Sequence, residues 1–361
     1  MDRKTLMHRI LRKSSLNILL AVAILLFLSI PVTLWAQTQN PNPKTLKLKL
    51  GSVAPANTTW AKLLEDISSQ IKEKSEGAIE IEIGYGGVFG GERELLRQCR
   101  KGKVPIVGVS STIVASLIEE LSIIELPYLF ESYDEADYII DNVFDSYISK
   151  RLEENGLVLL MWTENGYKNI ASIKPVRNSS DLKGLKIRSQ KSSVYRKIFE
   201  SFGACPVQLS VRGVVRGLQS GVLEGFDNTP LFTYSSGLYH HVKYYTLTEH
   251  SYQPILMLMS KKIYDNLESI QQKTIMDAMS TNKLAGRKKV RATMAKTTSK
   301  LAENGIIVIK LDEQARNDFR NTAKLVYKDL GSIMNSKTLD LFEKVQKELA
   351  AFRKTKYSAG K

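Results

Sequence analysis

The span from Glu268 to Glu303 offers some 35 consecutive positions of helical periodicity, with one internal glycine (Gly286) and no proline. At 1.5 Å per residue such a helix is about 50 Å long. That exceeds one lobe, so the fold must be wide enough to lay this element across more than one packed unit. Upstream, Leu46, Leu48 and Leu50 alternate with Lys47 and Lys49, and Ile79, Ile81 and Ile83 repeat the pattern. Period-two alternation marks half-buried strands. A helix over 58–75 follows the first strand from Pro55-Ala56-Asn57. A helix over 92–101 and a strand over 104–109 continue a βαβαβ order, which implies a mainly parallel sheet with right-handed crossovers.

A strand over 158–163 leaves this first set, and Asn165-Gly166-Tyr167 marks the crossing into a second. There the expected elements are strands at 169–172 and 185–188, helices at 194–202 and 211–220, and a strand ending near Asp227. The segments 244–248 and 252–259 carry the return crossing. A strand over 306–311 and terminal helices complete the chain, which shows no internal repeats.

The N-terminus reads as an export signal. Arg3, Lys4, Arg9, Arg12 and Lys13 precede an apolar run from Ile18 to Val32, and Ala36 offers a cleavage point before Gln37. Leu34 is larger than the residue usual three places before a cut, and an uncleaved segment of this length would act as a membrane anchor. No lipoprotein cysteine follows. Residues 37–44, rich in Asn, Gln and Pro, form a tether. About 325 residues remain, enough for two domains. The formal charge of +15 falls to +11 without the signal, still basic. Basic surfaces attract nucleic acid, acidic headgroups or anionic solutes, and export disfavours the first. Cys99 and Cys205 are the only cysteines, and their spacing does not define a disulfide. The adjacent His240 and His241 point apart on regular structure, with no metal-ligand spacing around them.

Two segments carry the chemistry: Gly184-Leu-Lys-Ile-Arg188 and Leu218-Gln-Ser-Gly-Val-Leu-Glu-Gly-Phe-Asp-Asn228. An arginine at the polar end of a short strand offers a carboxylate a planar fork of donors that lysine cannot reproduce. An asparagine ending the next strand can donate and accept, although Asn-Thr-Pro is also an ordinary turn initiator.

Residues 181–188 and 218–228 closely resemble the signature of the extracytoplasmic solute-binding proteins of TRAP transporters, the DctP-like family. That signature runs D-L-K-G-L-K-I-R, a gap, then A-L-Q-x-G-x-V-D-G-x-E-N. Phe89-Gly-Gly-Glu-Arg-Glu94 resembles the family's L-G-x-E-R-E turn, Glu125-Leu-Pro-Tyr-Leu-Phe130 its L-P-Y-L-F segment, and Met259-Ser-Lys-Lys262 its I-S-K-K. The ordered matches run from about residue 46 to 270.

The resemblance implies an α/β fold of the periplasmic binding protein-like type II, with two α/β lobes, a hinge cleft and a long helix bracing both. Residues 45–164 plus 252–285 would form lobe I, and residues 165–251 plus 286–361 lobe II. It implies a periplasmic, non-catalytic receptor that binds an organic acid between the lobes and delivers it to TRAP membrane subunits, with no cofactor. Arg188 would hold the ligand carboxylate bidentately and Asn228 would contact it. Tyr167-Lys168 falls where many members carry a second arginine, and Lys168 keeps the charge without the fork. Trp60, Phe226 and Tyr252, with Tyr85, Tyr128 and Trp162, are candidates for an apolar wall.

The departures from the pattern mostly remove polar groups. Val53-Ala54-Pro55 stands where the first strand usually ends A-x-x-H-P, Gly213 replaces the acid of F-x-E-x-Y, and Val215 its tyrosine. This favours a monocarboxylate with an apolar tail over a C4-dicarboxylate. Two other functions compete. The first is a binding or adaptor role for a hydrophobic ligand, acting with a tetratricopeptide-repeat partner. The second is an exported enzyme, for which the chain lacks G-x-S-x-G and any paired-carboxylate motif.

Overall fold

A computed structural model describes residues 45–358. The signal (1–36) and tether (37–44) lie outside the described residues. No helix among the described residues is long and apolar enough to cross a membrane.

The first third of the chain gives β1 (Leu46–Ser52), α1 (Thr59–Lys74), β2 (Ile79–Gly84), α2 (Glu92–Arg100), β3 (Ile106–Ser110), α3 (Ser111–Val114), α4 (Tyr133–Ile139) and α5 (Asp145–Glu154). Thr58 caps α1 by accepting from the Ala61 amide at 3.1 Å, as expected of a threonine just before a helix. Then follow β4 (Leu157–Ser172), β5 (Lys186–Ser189), α6 (Ser193–Ser201), β6 (Cys205–Gln208), α7 (Val214–Gln219), β7 (Gly225–Asn228), α8 (Pro230–Ser235) and β8 (Tyr244–Ser260). The chain ends with α9 (Lys261–Tyr264), α10 (Ser269–Glu303), β9 (Ile307–Lys310), α11 (Glu313–Lys328) and α12 (Ser336–Ser358).

One sheet of nine strands runs in the order β2-β1-β3-β8-β4-β7-β5-β6, with β9 paired to the start of β8. β1 pairs with β3 in parallel, and β5 with β6 and β7, as the alternating order of elements predicts. The sheet as a whole is mixed, because β4 and β8 are antiparallel to each other and to β7 and β3. These two strands differ from expectation. Each crosses from one half of the sheet to the other as a single strand, of 16 and 17 residues, where the sequence suggested two short strands and a break. Register shifts absorb the change of direction, one of them between Glu164 and Gly166. Gly166 takes φ +103° there, a conformation open mainly to glycine. The segment expected as a helix over 211–220 is a 3₁₀ turn, Val211–Gly213, followed by α7.

The 35-residue α10 forms as read, and it packs on β4, on α1 from the first half and on α8 from the second. Gly286 is what lets α1 approach: a Cβ at that position would lie 2.9 Å from Leu63 Cδ2. The main core is continuous from Leu95 and Val107 through Trp162 to Phe199 and Leu349. The terminal helix α12 packs on α4 and the turn Glu119–Glu125, both in the first half, with Arg353 bonded to both oxygens of Glu135 at 3.0 and 2.8 Å. Residues 336–358, expected with the second lobe, thus pack on the first half as well as on the 330–332 turn.

Candidate functional site

Where β4 and β8 cross, the face of the sheet is left open to a cavity roofed by α1 and α8. β8 lines it with Gln253, Ile255 and Met257, every second residue, as strand parity demands. In register with these on β3 stand Ser110 beside Ile255 and Gly108 beside Met257. From β4 come Thr163, Asn165 and Lys168, and from the second half Arg188, Gln190, Val211, Asn228 and Phe232.

Arg188 sits at the C-terminal part of β5, paired with Phe226 of β7, and is buried. Its Nε donates to the Leu209 carbonyl at 2.8 Å, which fixes the guanidinium plane. Its two terminal nitrogens make no hydrogen bond to any described residue. Burial pulls the Arg188 pKa down, opposed by Asp227 and Glu92. An arginine remains charged under such a shift, so the cavity contains a buried cation with donors to spare. Asn228 uses its Oδ1 to accept from the Thr229 amide at 2.9 Å. Ser110 Oγ and Thr163 Oγ1 are buried without any hydrogen-bond partner among the described residues. Buried polar atoms left in this way are satisfied by a bound molecule or by water.

Behind the cavity lies a fully buried charge cluster. Lys168 Nζ is 2.5 Å from Asp227 Oδ2, 2.8 Å from Gln190 Oε1 and 3.8 Å from the centre of the Tyr195 ring. Burial works against the charge on Asp227, but Lys168, His250 and Arg188 overcome it and hold the carboxyl well below the usual carboxylate range. Gln190 Oε1 also accepts from Gln253 at 2.8 Å, joining the two halves of the sheet. Ser111 and Thr112 both donate to buried Glu125, whereas the adjacent Ser110 reaches the cavity. Glu92, in the motif of residues 89–94, lines the cavity and accepts from the Ser110 amide at 2.6 Å, and burial raises its pKa.

Of the residues proposed from sequence, the structure brings Arg188, Asn228, Lys168 and Trp60 to the cavity. Tyr167, Phe226 and Tyr252 are not there, the two tyrosines for reasons of parity and Phe226 because it packs in a neighbouring core. Tyr167 and Tyr252 are directly paired across β4 and β8 and face the other side, where they form an aromatic cluster with Tyr133 and Phe130. Phe226 packs in a separate core with Ala171, Val214 and Tyr245. Tyr85, Tyr128 and Trp162 are also absent from the cavity, so the apolar wall comes instead from Trp60, Leu63 and Leu64 on one face of α1 and from Ile255 and Met257. Gln190, Gln253 and Asn165 were not anticipated. An isolated polar residue at an inward strand position, such as Gln253, was the available signal. Among the described residues no cluster of His, Cys, Asp or Glu could hold a metal ion.

Comparison with known proteins fits this arrangement. The family model for bacterial extracellular solute-binding protein family 7 (DctP) matches residues 50–332. A solute-binding protein of Verminephrobacter eiseniae is 28% identical over 255 residues, 70% of this chain and 76% of the relative. The 2,3-diketo-L-gulonate-binding periplasmic protein YiaO of Escherichia coli is 26% identical over 260 residues, 72% of this chain and 78% of the relative. The crystal structure of a TRAP periplasmic solute-binding protein from Citrobacter koseri with bound D-glucuronate superposes with a TM-score of 0.77 at 26% identity, covering 84% of this chain and 99% of that one. These are binding proteins rather than enzymes, and the fold is that of the type II periplasmic binding proteins. The chain belongs to the bacterial extracellular solute-binding protein family 7.

Proposed function

We propose that this protein is the extracytoplasmic receptor of a TRAP-type secondary transporter, closing on an organic acid and presenting it to membrane subunits from the periplasm. The observation that carries the reading is Arg188: a buried guanidinium, oriented through Nε and with its terminal nitrogens open, beside a cavity at the junction of the two halves of the sheet. A carboxylate is the complement of that fork. The Citrobacter koseri structure contains D-glucuronate and YiaO is named for 2,3-diketo-L-gulonate, both acids, which supports an acid as the solute here.

The two halves act as lobes in this reading. Residues 45–164 plus 252–285 form one and 165–251 plus 286–335 the other, with 336–358 grouped with the first by their contacts. β4 and β8 are the hinge strands, and α10 braces both lobes. Closure around the acid would exclude water, and a charge pair at 4 Å strengthens from about 1 kcal/mol in water to about 4 kcal/mol at an effective dielectric of 20. Thermal-shift titration of wild type and Arg188→Ala with a panel of mono- and dicarboxylates tests this. Stabilisation of the wild type by an acid, absent in the variant, is the expected result; equal stabilisation of both would remove Arg188 from the site.

A further inference from the structure

Lys168 would make this cavity a site for two carboxylates if its charge were available to a ligand. An ammonium has three donors. Those of Lys168 face Asp227 Oδ2 at 2.5 Å, Gln190 Oε1 at 2.8 Å and the ring of Tyr195, whose centre is 3.8 Å away. Lys168 lines the cavity, but its ammonium is engaged by an ion pair, a hydrogen bond and a ring contact within the protein. Asp227 is itself fully buried and bears a charge that matches the lysine. Among the described residues Arg188 is then the one cation at the cavity with open donors, and Glu92 adds an acid on the same lining. A second carboxylate on the ligand would be desolvated without a partner.

Part of the cavity is built for a different kind of group. Beside the polar Ser52, Asn165 and Gln253, the lining holds Leu63 and Leu64 from α1, Val53 and Ala54 after β1, and Ile255 and Met257 from the sheet. Sugar hydroxyls set against these side chains would lose water without gaining partners. The two unpartnered hydroxyls, Ser110 Oγ and Thr163 Oγ1, both flank Ile255 in the sheet register, which leaves room for one oxygen substituent between an acidic head and an apolar tail.

We propose that the solute is a monocarboxylate with an apolar tail, and that Asp227 sets this preference by holding Lys168 away from the ligand. The inference rests on the receptor reading above and narrows it to a solute class. Its test is calorimetric titration of the full chain with 4-methylpentanoate, succinate and D-glucuronate, using wild type, Asp227→Asn, Ile255→Thr and Arg188→Ala. Wild type is expected to bind 4-methylpentanoate at least about tenfold more tightly than the other two, since burying or failing to bury a few methylenes is worth that much. Asp227→Asn releases Lys168 and should tighten succinate binding by about tenfold, the worth of a recovered charge-assisted hydrogen bond. Ile255→Thr, which keeps the β-branched shape, should weaken 4-methylpentanoate alone.

A wild type that prefers succinate or D-glucuronate overturns the inference and leaves the receptor reading standing, provided Arg188→Ala loses that binding. An Asp227→Asn protein that folds but keeps the wild-type preference overturns the role given to Asp227. If that variant does not fold, an Ile255→Thr protein with unchanged affinity for 4-methylpentanoate overturns the proposal by itself. Failure of 4-methylpentanoate to bind wild type would likewise overturn the inference, while the receptor reading is judged on the wider panel of acids.

Discussion

Arg291 of α10 donates through Nε to Glu164 Oε2 at 2.6 Å while its terminal nitrogens hold both oxygens of Asp137 at 2.7 Å. One side chain thus ties the long helix to α4 and to Glu164, at the edge of the register shift of β4. One turn earlier on the same helix, Arg287 bonds Asp137 and Asp141 at 2.9 to 3.0 Å. The guanidinium of Arg291 also lies over the Tyr133 ring at 4.3 Å.

Arg291→Met should therefore leave Glu164 buried without its cation and Asp137 without its bidentate partner. Breaking a buried pair from one side costs about 3 kcal/mol. Urea denaturation at pH 8, where Glu164 is ionised, should register that loss as a lower midpoint, and an unchanged midpoint would show that the network does not stabilise the fold.

The same carboxyl gives a pH dependence. Burial pushes Glu164 up to about 7 from an ordinary value of 4.5, against the pull of Arg291. A group whose folded pKa is raised contributes stability that is full below the unfolded pKa and is lost as pH rises through the folded one. Stability should fall between about pH 4.5 and 7, by about 3 kcal/mol from this group. Glu164→Gln should flatten that part of the profile; a profile that keeps its slope would contradict the assignment.

Trp60 reports on the cavity. Its Nε1 donates to the Glu164 carbonyl at 2.8 Å, and its ring lies 6.2 Å from Phe232 of the second half. Trp162, by contrast, is fully buried in the main core. A bound acid should change the tryptophan emission of wild type, and Trp60→Phe should abolish most of that change while leaving the Trp162 emission in place. A ligand-dependent signal that survives in Trp60→Phe would place the solute elsewhere.

Arg212, in the turn after β6, donates to the carbonyl of Gly87, in the loop after β2. This contact joins the two halves beside Val211, which lines the cavity. Arg212→Ala should raise the ligand dissociation rate by about tenfold with a smaller change in association, since mutants of one site differ mostly in off-rate. Stopped-flow displacement measures it, and an unaltered off-rate would mean the contact does not hold the cleft shut.

The long helix and the strands of the first half were legible in the sequence because their periodicity is local. Leu46, Leu48 and Leu50 declare an inward face without reference to any neighbour, and the Glu268 to Glu303 stretch declares its length. Arg188 and Asn228 were legible through a motif that fixes their places at the ends of two paired strands. What the sequence hid was register. Tyr167 and Lys168 are adjacent, so only one can face the cavity, and the choice is made by the shift between Glu164 and Gly166 against β8. The same pairing sends Tyr252 away and Gln253 inward. The pairing of Lys168 with Asp227 joins strands nearly 60 positions apart and leaves no local trace, so the sequence showed the lysine's charge but not its buried counter-ion.

Native mass spectrometry of the protein purified from an exporting host tests the central claim most directly. Wild type should carry a small acid that is released on denaturation, and Arg188→Ala, folded by circular dichroism, should carry none. The same acid retained at the same occupancy by Arg188→Ala would contradict the account.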